Sequence, residues 1–340
     1  MPIAGSECLT LHDWGKRLGP DNQQADLVEV LTQQNPVLQD AMLLEANNIT
    51  SHRTSIRAGL PEAYWRLINR GVPKSKSAVT AVDDAIGILE ANSEVDRDLA
   101  ELNGMRASFM LSEAKAFLEA MNQRMAETLF YGNLKSNKAA FTGLGVRYST
   151  LDPAKAASAE NVIDAGGTGN DLTSAWIMLW GDQTNHLVNP KGLPTGLQQT
   201  TLPGVQRILD ADGHPFYGYV TNYSWKLGLV TRDWRYAARI ANIPTTNLNS
   251  IVETGGATAA AQKLVRQMIV AFNKIPNVRL GRAVWYMNRT VKTMLDLLAA
   301  EKSNVNLTMG NFEGEEVTKF KGVPIRQCDA IIDTEDRVTA

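Results

Sequence analysis

Two extended runs between residues 51 and 92, divided by a turn, set the main limit on how this chain can fold. Gly71 and Pro73 break the strand-favouring residues, and this pattern predicts a long β-hairpin. The predicted tip carries basic side chains and little apolar material, so it cannot belong to a hydrophobic core. It is either a solvated loop or an arm that contacts another molecule. The contact residues that we expect there are Trp65, Arg66, Arg70, Lys74 and Lys76.

The clearest helical signal covers residues 113–131. Apolar residues from Ala114 to Leu129 recur at helical spacing, whereas charged residues occupy the other face, so one side is expected to pack inward. Ser112 is the expected N-cap and Gly132 the stop, which predicts a helix roughly 28 Å long. Ser93 is expected to begin a short helix before it, because Ser-Glu-Val-Asp resembles a capping box.

The remainder of the chain mixes strands and helices without the regular alternation of a parallel sheet, which indicates an α+β fold. We expect a domain boundary at the glycine-rich stretch 166–170. Acidic pairs such as Asp83-Asp84 and Glu315-Glu316 are expected in solvated turns. Beyond the boundary, the pattern predicts strands at 176–180, two or three within 216–243, and others at 283–287, 322–327 and 330–332, with helices at 257–274 and 290–302.

Residues 1–50 form a polar lead-in that is rich in Gln and Asn. Such a segment has few ways to fold alone. We expect it to lie against something else, such as a neighbouring subunit.

The composition suits a folded protein and argues against several functions. Hydrophobic residues make up 44% and charged residues 21%, and the net charge is −2, so no strong basic field exists to hold nucleic acid. Cys8 and Cys328 lie near opposite ends, which argues against a disulfide framework or a zinc site. Cys8 is expected to be an exposed arm residue and Cys328 a buried apolar one. No membrane span or signal peptide is predicted, and a cytoplasm is the expected site of folding.

Residues with catalytic potential form no recognisable constellation. The four histidines, His12, His52, His186 and His214, show no metal-binding spacing, and each is expected at the surface or hydrogen-bonded. We therefore expect no catalytic, cofactor-binding or metal site, and no enzyme activity. Five tryptophans, Trp176, Trp180, Trp225, Trp234 and Trp285, fall on predicted strands, where most are expected to pack in the core. This profile favours a subunit that contacts copies of itself.

Several strings in the chain, taken together, resemble the major capsid proteins of tailed double-stranded DNA bacteriophages, of podovirus-like type. The helix that ends in Glu127-Thr128-Leu129-Phe130-Tyr131-Gly132-Asn133 is similar to their spine helix, and Phe141-Thr142-Gly143-Leu144 with Arg147-Tyr148 is similar to the loop that follows it. Further similar strings are Thr173-Ser174-Ala175-Trp176, Trp180-Gly181, Asn189-Pro190-Lys191-Gly192, Trp225-Lys226-Leu227-Gly228-Leu229 and Arg239-Ile240-Ala241-Asn242-Ile243.

The resemblance implies the fold of the Hong Kong 97 phage capsid. Residues 1–50 would be its N-terminal arm, residues 51–92 its extended E-loop hairpin, and residues 93–169 its peripheral domain, with the spine helix at 113–131. Residues 170–340 would form the axial domain, with some strands returning to the peripheral domain. The implied function is structural: pentamers and hexamers would close into an icosahedral head around double-stranded DNA.

The resemblance also implies partners and a location. Besides itself, the chain would work with a separate scaffolding protein, a portal and a possible decoration protein, and it would hold packaged DNA without specific binding. It would be assembled in the bacterial host cytoplasm and reside in the virion. Two alternatives stay open at this point: an encapsulin-like shell of a cellular compartment, and a cytoplasmic α+β enzyme without a recognisable motif.

Overall fold

The structure of the protein is a computed structural model that describes residues 32–210, 212–245, 259–300, 307–312 and 315–340. Its described strands form one thirteen-stranded mixed sheet and a separate two-stranded hairpin, with helices packed on the large sheet. The predicted α+β class is therefore confirmed. Among the described residues, no helix is both long and apolar enough to cross a bilayer.

The predicted hairpin is present, but its strands are shorter than expected. Strand β2 (Ser51–Gly59) pairs antiparallel with β3 (Ala78–Ala85), and residues 60–77 between them form no strand. Pro61 contributes to this early end, because it has no N–H group for the ladder. Ile88 had been expected in the hairpin but lies in β4 (Gly87–Asp96), which pairs with a distant strand of the large sheet.

The long helix is confirmed and begins earlier than predicted. It follows a 3₁₀ turn at Leu102–Gly104 and spans Arg106–Tyr131, about 39 Å at 1.5 Å per residue. The capping box expected at Ser93 was wrong, because β4 continues through Asp96. The Asp96 carboxylate instead accepts the N–H of Asp98, at 2.8 Å, and caps the short helix Arg97–Glu101. We label the short helix α2 and the long one α3, after α1 (Val37–Asp40).

The large sheet is built around β6 (Leu172–Trp180), in which all nine residues are buried. Both of its faces are covered, which explains why residues 175–180 are a continuous apolar run rather than an alternation. Besides β6 and β4, the main strand path contains β7 (Asn185–Asn189), β10 (Pro215–Thr231), β12 (Arg282–Met287), β13 (Leu307–Phe312), β14 (Glu315–Phe320) and β15 (Val323–Gln327). Its strand order is β13-β14-β15-β12-β6-β7-β10-β4.

Five further strands pair with members of this path or with one another. β1 (Leu43–Glu45) pairs with β7, and β8 (Leu197–Thr201) and β9 (Gln206–Leu209) pair with β10. β11 (Ala237–Pro244) pairs with β6, and β5 (Val162–Asp164) pairs with β11. β5 and β11 lie on opposite sides of the predicted boundary at residue 169/170, yet they pair in parallel. The peripheral and axial assignments stay predictions.

Helices cover the sheet on both sides. α5 (Ala259–Lys274) and α6 (Arg289–Ala300) pack over one core cluster that includes Trp285, close to the bounds predicted for them. The C-terminal half of α3 and the short α4 (Leu144–Arg147) pack over a second cluster around Trp176 and Trp180. Trp225 also lies on a strand, whereas Trp234 lies on a 3₁₀ turn, Trp234–Tyr236, rather than on the predicted strand.

Two expectations for the later chain were wrong. Residues 330–332 form a turn instead of a strand, and Glu315-Glu316 begins β14 instead of a turn. β13 and β14 were not predicted, because neither run is apolar enough to stand out as a strand.

Residues 32–46 pack on the body of their own chain, contrary to the expectation for the lead-in. Val37 is fully buried in the core cluster of α3, and β1 pairs in parallel with β7. The buried Asp40 carboxylate lies 2.8 Å from Arg282 Nη2 and 3.2 Å from Arg326 Nε. The expectation about residues 1–31, including Cys8 and His12, lies outside the described residues.

Candidate assembly surface

The hairpin tip, which we define as residues 60–77, consists entirely of exposed residues. It carries more apolar surface than expected: Trp65 is completely exposed, and Leu60 and Ile68 are at least 80% exposed. Large apolar side chains that stand together in water are typical of a surface that another molecule covers. The tip is therefore a strong candidate for a contact surface.

All five predicted contact residues, Trp65, Arg66, Arg70, Lys74 and Lys76, lie in this tip and are exposed. The tip holds four basic side chains but one carboxylate, Glu62, so its net charge is positive. Glu62 accepts hydrogen bonds within the tip, at its carboxylate from Tyr64 and at its carbonyl oxygen from Ser75, the latter at 2.8 Å. The basic side chains thus remain available to a partner with negative charge.

The hairpin root, where β2 and β3 meet the large sheet, is held by buried polar groups. Asp84 on β3 is 5% exposed and accepts a hydrogen bond from Arg147 Nη2 at 2.7 Å, and Arg147 also donates to the carbonyl oxygen of Leu229 at 3.0 Å. The expectation that Asp83-Asp84 forms a solvated turn was wrong, because both residues lie in β3 and Asp84 is buried. Asp83 does face solvent, where it pairs with Arg53 at 2.7 Å.

Two histidines also meet at the root. His52 on β2 and His186 on β7 are both buried, and their rings lie edge to face with centroids 5.7 Å apart. Neither nitrogen of His186 has a hydrogen-bond partner among the described residues. The expectation that His186 lies at the surface or is hydrogen-bonded was therefore wrong. Nothing in the spacing of His52 and His186 signalled this contact, because it brings together residues of two strands that are far apart in the sequence.

One group of potential metal ligands occurs in the described part of the chain. Asp210, Asp212 and His214 lie on the exposed turn between β9 and β10, with ligand atoms within 4.8 Å of one another. The Asp210 carboxylate accepts the backbone N–H groups of Asp212 and His214 at 3.0 and 2.7 Å, which accounts for the geometry of the turn without an ion.

Comparison with known families identifies the class of protein. Residues 19–339 match the sequence profile of the family described as Major capsid protein GP7. The chain belongs to this family. As a major capsid protein, it associates with copies of itself to form the shell of a bacteriophage particle, and it is therefore a structural component of the virion.

Solved structures agree with the family. A chain in the near-atomic structure of bacteriophage Epsilon15 is 32% identical to this capsid protein, with a TM-score of 0.76 and coverage of 100% of both chains. The capsid of bacteriophage JBD30 is 10% identical, with a TM-score of 0.50 and coverage of 89% of this chain and 93% of that one, which supports the fold alone. The predicted Hong Kong 97-type fold is thus confirmed.

The encapsulin alternative receives no support. The SrpI encapsulin of Synechococcus elongatus is 10% identical, with a TM-score of 0.45 over 69% of this chain and 96% of that one. Curated proteins contain no match to this capsid protein.

Proposed function

We propose that this capsid protein assembles as pentamers and hexamers into an icosahedral head that encloses double-stranded DNA, and that the β2–β3 hairpin is the E-loop that reaches a neighbouring subunit. The observation that carries this proposal is the full exposure of Trp65 beside other apolar side chains at the tip of an arm. A chain that acted alone would gain nothing from holding this surface in water.

The apolar tip can supply the contact energy. Burying a large apolar side chain contributes roughly 1.5–3 kcal/mol, so Trp65 and Ile68 would give each hairpin a substantial contact with its neighbour. Such a contact is repeated by every subunit of a symmetric shell, so many modest contacts can make a stable particle. The basic side chains of the tip would orient the approach of an acidic neighbouring surface.

The other parts of the fold receive their roles by the same proposal. α3 is the spine of a peripheral domain at residues 93–169, and residues 170–340 form the axial domain around the symmetry centres. Residues 1–50 form the N-terminal arm, of which residues 32–46 lie on their own subunit. β10 runs beside both β4 and β7, which supports a sheet shared by the two domains.

A scaffolding protein, a portal and a possible decoration protein are the further partners in this proposal. The role is structural rather than enzymatic, and DNA is held without specific binding. The net charge of −2 supports the last point, because a strongly basic wall would trap DNA.

The role of the tip can be tested at a single position. Trp65→Ala should give a folded subunit with an unchanged circular dichroism spectrum, because Trp65 supports nothing in its own subunit. Shell formation, measured by electron microscopy and sedimentation, should drop at least tenfold. Trp65→Phe, the matched control, keeps an apolar ring and should assemble.

A variant that lacks residues 69–77 should likewise fold and assemble poorly. Normal shells from both Trp65→Ala and this deletion would show that the hairpin tip is not the contact arm.

A further inference from the structure

The root of the β2–β3 hairpin concentrates buried polar atoms that lack partners. Among the described residues, buried side-chain atoms without a hydrogen bond include both ring nitrogens of His186, Nε2 of His52 and Oδ2 of Asp84. Thr231 Oγ1 and Arg232 Nε, at the end of the adjacent strand β10, belong to the same group. Buried polar groups are normally paired, so a cluster of unpaired ones marks a place where the closed structure is costly.

Three charged groups face the two imidazoles, each from a different part of the root. Arg232 follows β10, Asp182 lies in the turn between β6 and β7, and Asp84 stands opposite His52 on β3. Arg147 on α4 is bonded to Asp84. An imidazolium at this place would meet Arg232 as a like charge and Asp182 as an opposite charge, and Asp84 would attract an imidazolium at His52.

Burial lowers the pKa of His186 to about 4, and Arg232 and His52 act in the same direction, while Asp182 and the nearby backbone of Gly181 oppose them. Burial also lowers the pKa of His52, again with Arg232, against Asp84 and Asp182. In both rings burial has the largest effect, because the closed root keeps water away from an added proton.

Besides the ion pair of Asp84 with Arg147, few contacts hold the root closed. The apolar cluster there consists of Ala46, Val188 and Val230, with the partly buried Ile86 against it. This small apolar contact makes the root a weak joint between two otherwise separate sheets. Once it leaves the body, the hairpin is an isolated two-stranded ribbon, and such ribbons are marginally stable in water, so its backbone amides would then exchange.

We infer that the hairpin root is an acid-labile joint, in which a proton taken up by His52 or His186 releases the hairpin from the body while the large sheet stays folded. The step is a protonation alone: an imidazole nitrogen gains a proton from solvent, and the imidazolium is hydrated in the released state. This inference concerns the single subunit and holds whether or not the hairpin is the contact arm.

The direction of the pH effect follows from linkage. The released state carries imidazoles of ordinary pKa near 6.5, so it binds more protons than the closed state between pH 6.5 and 4. The stability of the closed state relative to the released state is therefore greatest above pH 6.5, and it decreases as the pH falls toward 4. For His186 alone, the population of the released state should rise about thirtyfold between pH 7.5 and 5.0.

Hydrogen exchange of the full, unassembled chain tests the joint, with rates corrected for the intrinsic effect of pH. We expect protection in β2 and β3 to fall about thirtyfold between pH 7.5 and 5.0, while β6 stays protected. The double variant His52→Leu with His186→Leu cannot take up the proton and should lose this pH dependence. His214→Leu, at an exposed turn, is the control and should behave as the native chain.

The inference would be overturned if the native chain kept its hydrogen-exchange protection in β2 and β3 at pH 5.0. It would also be overturned if the double variant lost as much of this protection as the native chain. Should the double variant fail to fold, the single variants His52→Leu and His186→Leu decide, because each should reduce the pH effect. A loss of protection in β6 equal to that in the hairpin would also contradict the inference, since it would indicate global acid unfolding.

Discussion

Arg239 and Glu335 form an ion pair that is almost completely removed from water, with Nη2 of the arginine 2.7 Å from Oε2 of the glutamate. Glu335 also accepts hydrogen bonds from Ser174 on β6 and from Tyr131 at the end of α3, the latter at 2.5 Å. The pair thus joins the C-terminal segment, the centre of the sheet and the long helix. It also lies against Trp176, whose ring centroid is 5.1 Å from the guanidinium carbon.

Breaking this pair should strongly destabilise the subunit. Glu335→Ala leaves the Arg239 guanidinium buried without its carboxylate, and such a loss costs about 3–5 kcal/mol of unfolding free energy. Urea unfolding of the unassembled chain, followed by tryptophan fluorescence, measures the change. Glu127→Ala removes a surface pair with Arg124 and should have little effect. Equal stabilities of the two variants would show that the buried ion pair contributes no more to the unfolding free energy than the exposed pair.

Gly132 should not tolerate a side chain. A Cβ atom there would lie 2.5 Å from the carbonyl oxygen of Phe141 and closer still to that of Thr128, so the backbone would have to move. Gly132→Ala should therefore lower the unfolding free energy by about 3 kcal/mol or more in the same urea experiment. Gly71→Ala, with no atom within 4 Å of the new Cβ, is the matched control and should match the native protein. A stable Gly132→Ala subunit would refute the close packing at the end of α3.

Cys328 should be inert toward thiol reagents in the native state. Its side chain is fully buried, as expected from the sequence, and burial raises the pKa of its thiol to about 12. Thiolate is the reactive form, so labelling at pH 8 should be slower than for a free cysteine by more than about a thousandfold. The measurement uses Ellman's reagent on a Cys8→Ser chain, which should react only after unfolding. Rapid labelling of the folded chain would place Cys328 at an accessible site.

Asp40 should anchor residues 32–46 to the body. Its carboxylate accepts a hydrogen bond from Tyr286 at 3.0 Å in addition to its two arginine partners, and burial together with this carboxylate raises the pKa of the Tyr286 hydroxyl. Asp40→Asn keeps the shape but removes the charge, and should cost about 1–3 kcal/mol. Hydrogen exchange in β1 should rise at the same time. Glu94→Asn at an exposed position of β4 is the control, and equal exchange in both variants would argue against the anchor.

The long helix and the central strand were predictable because their signals are local. Apolar residues at helical spacing identified α3, and a continuous apolar run identified β6. The early start of α3 was missed, because the residues from Arg106 onward become helical by packing Phe109 into a small cluster with Tyr219. That contact involves a residue far along the chain, which periodicity cannot reveal.

The position of the tip could be predicted from the sequence, but its exposed apolar surface could not. Its basic residues were visible in the sequence, and the structure shows them together with exposed apolar side chains on one loop. The strand-like pattern from Ile56 to Ile68 suggested paired strands, yet pairing ends at Gly59. Apolar residues beyond that point have no surface of their own chain to cover, so they remain exposed.

Asp83 and Asp84 show where the sequence alone reaches its limit. The sequence determined that the two neighbours carry the same charge, and it determined the helix, the apolar central strand and the family. Only the tertiary structure decided that Asp83 faces water while Asp84 is buried against Arg147. Successive side chains of a strand point to opposite faces, and the partner of the inward one comes from a distant part of the chain. Local patterns set the elements, but long-range packing alone sets which polar groups meet.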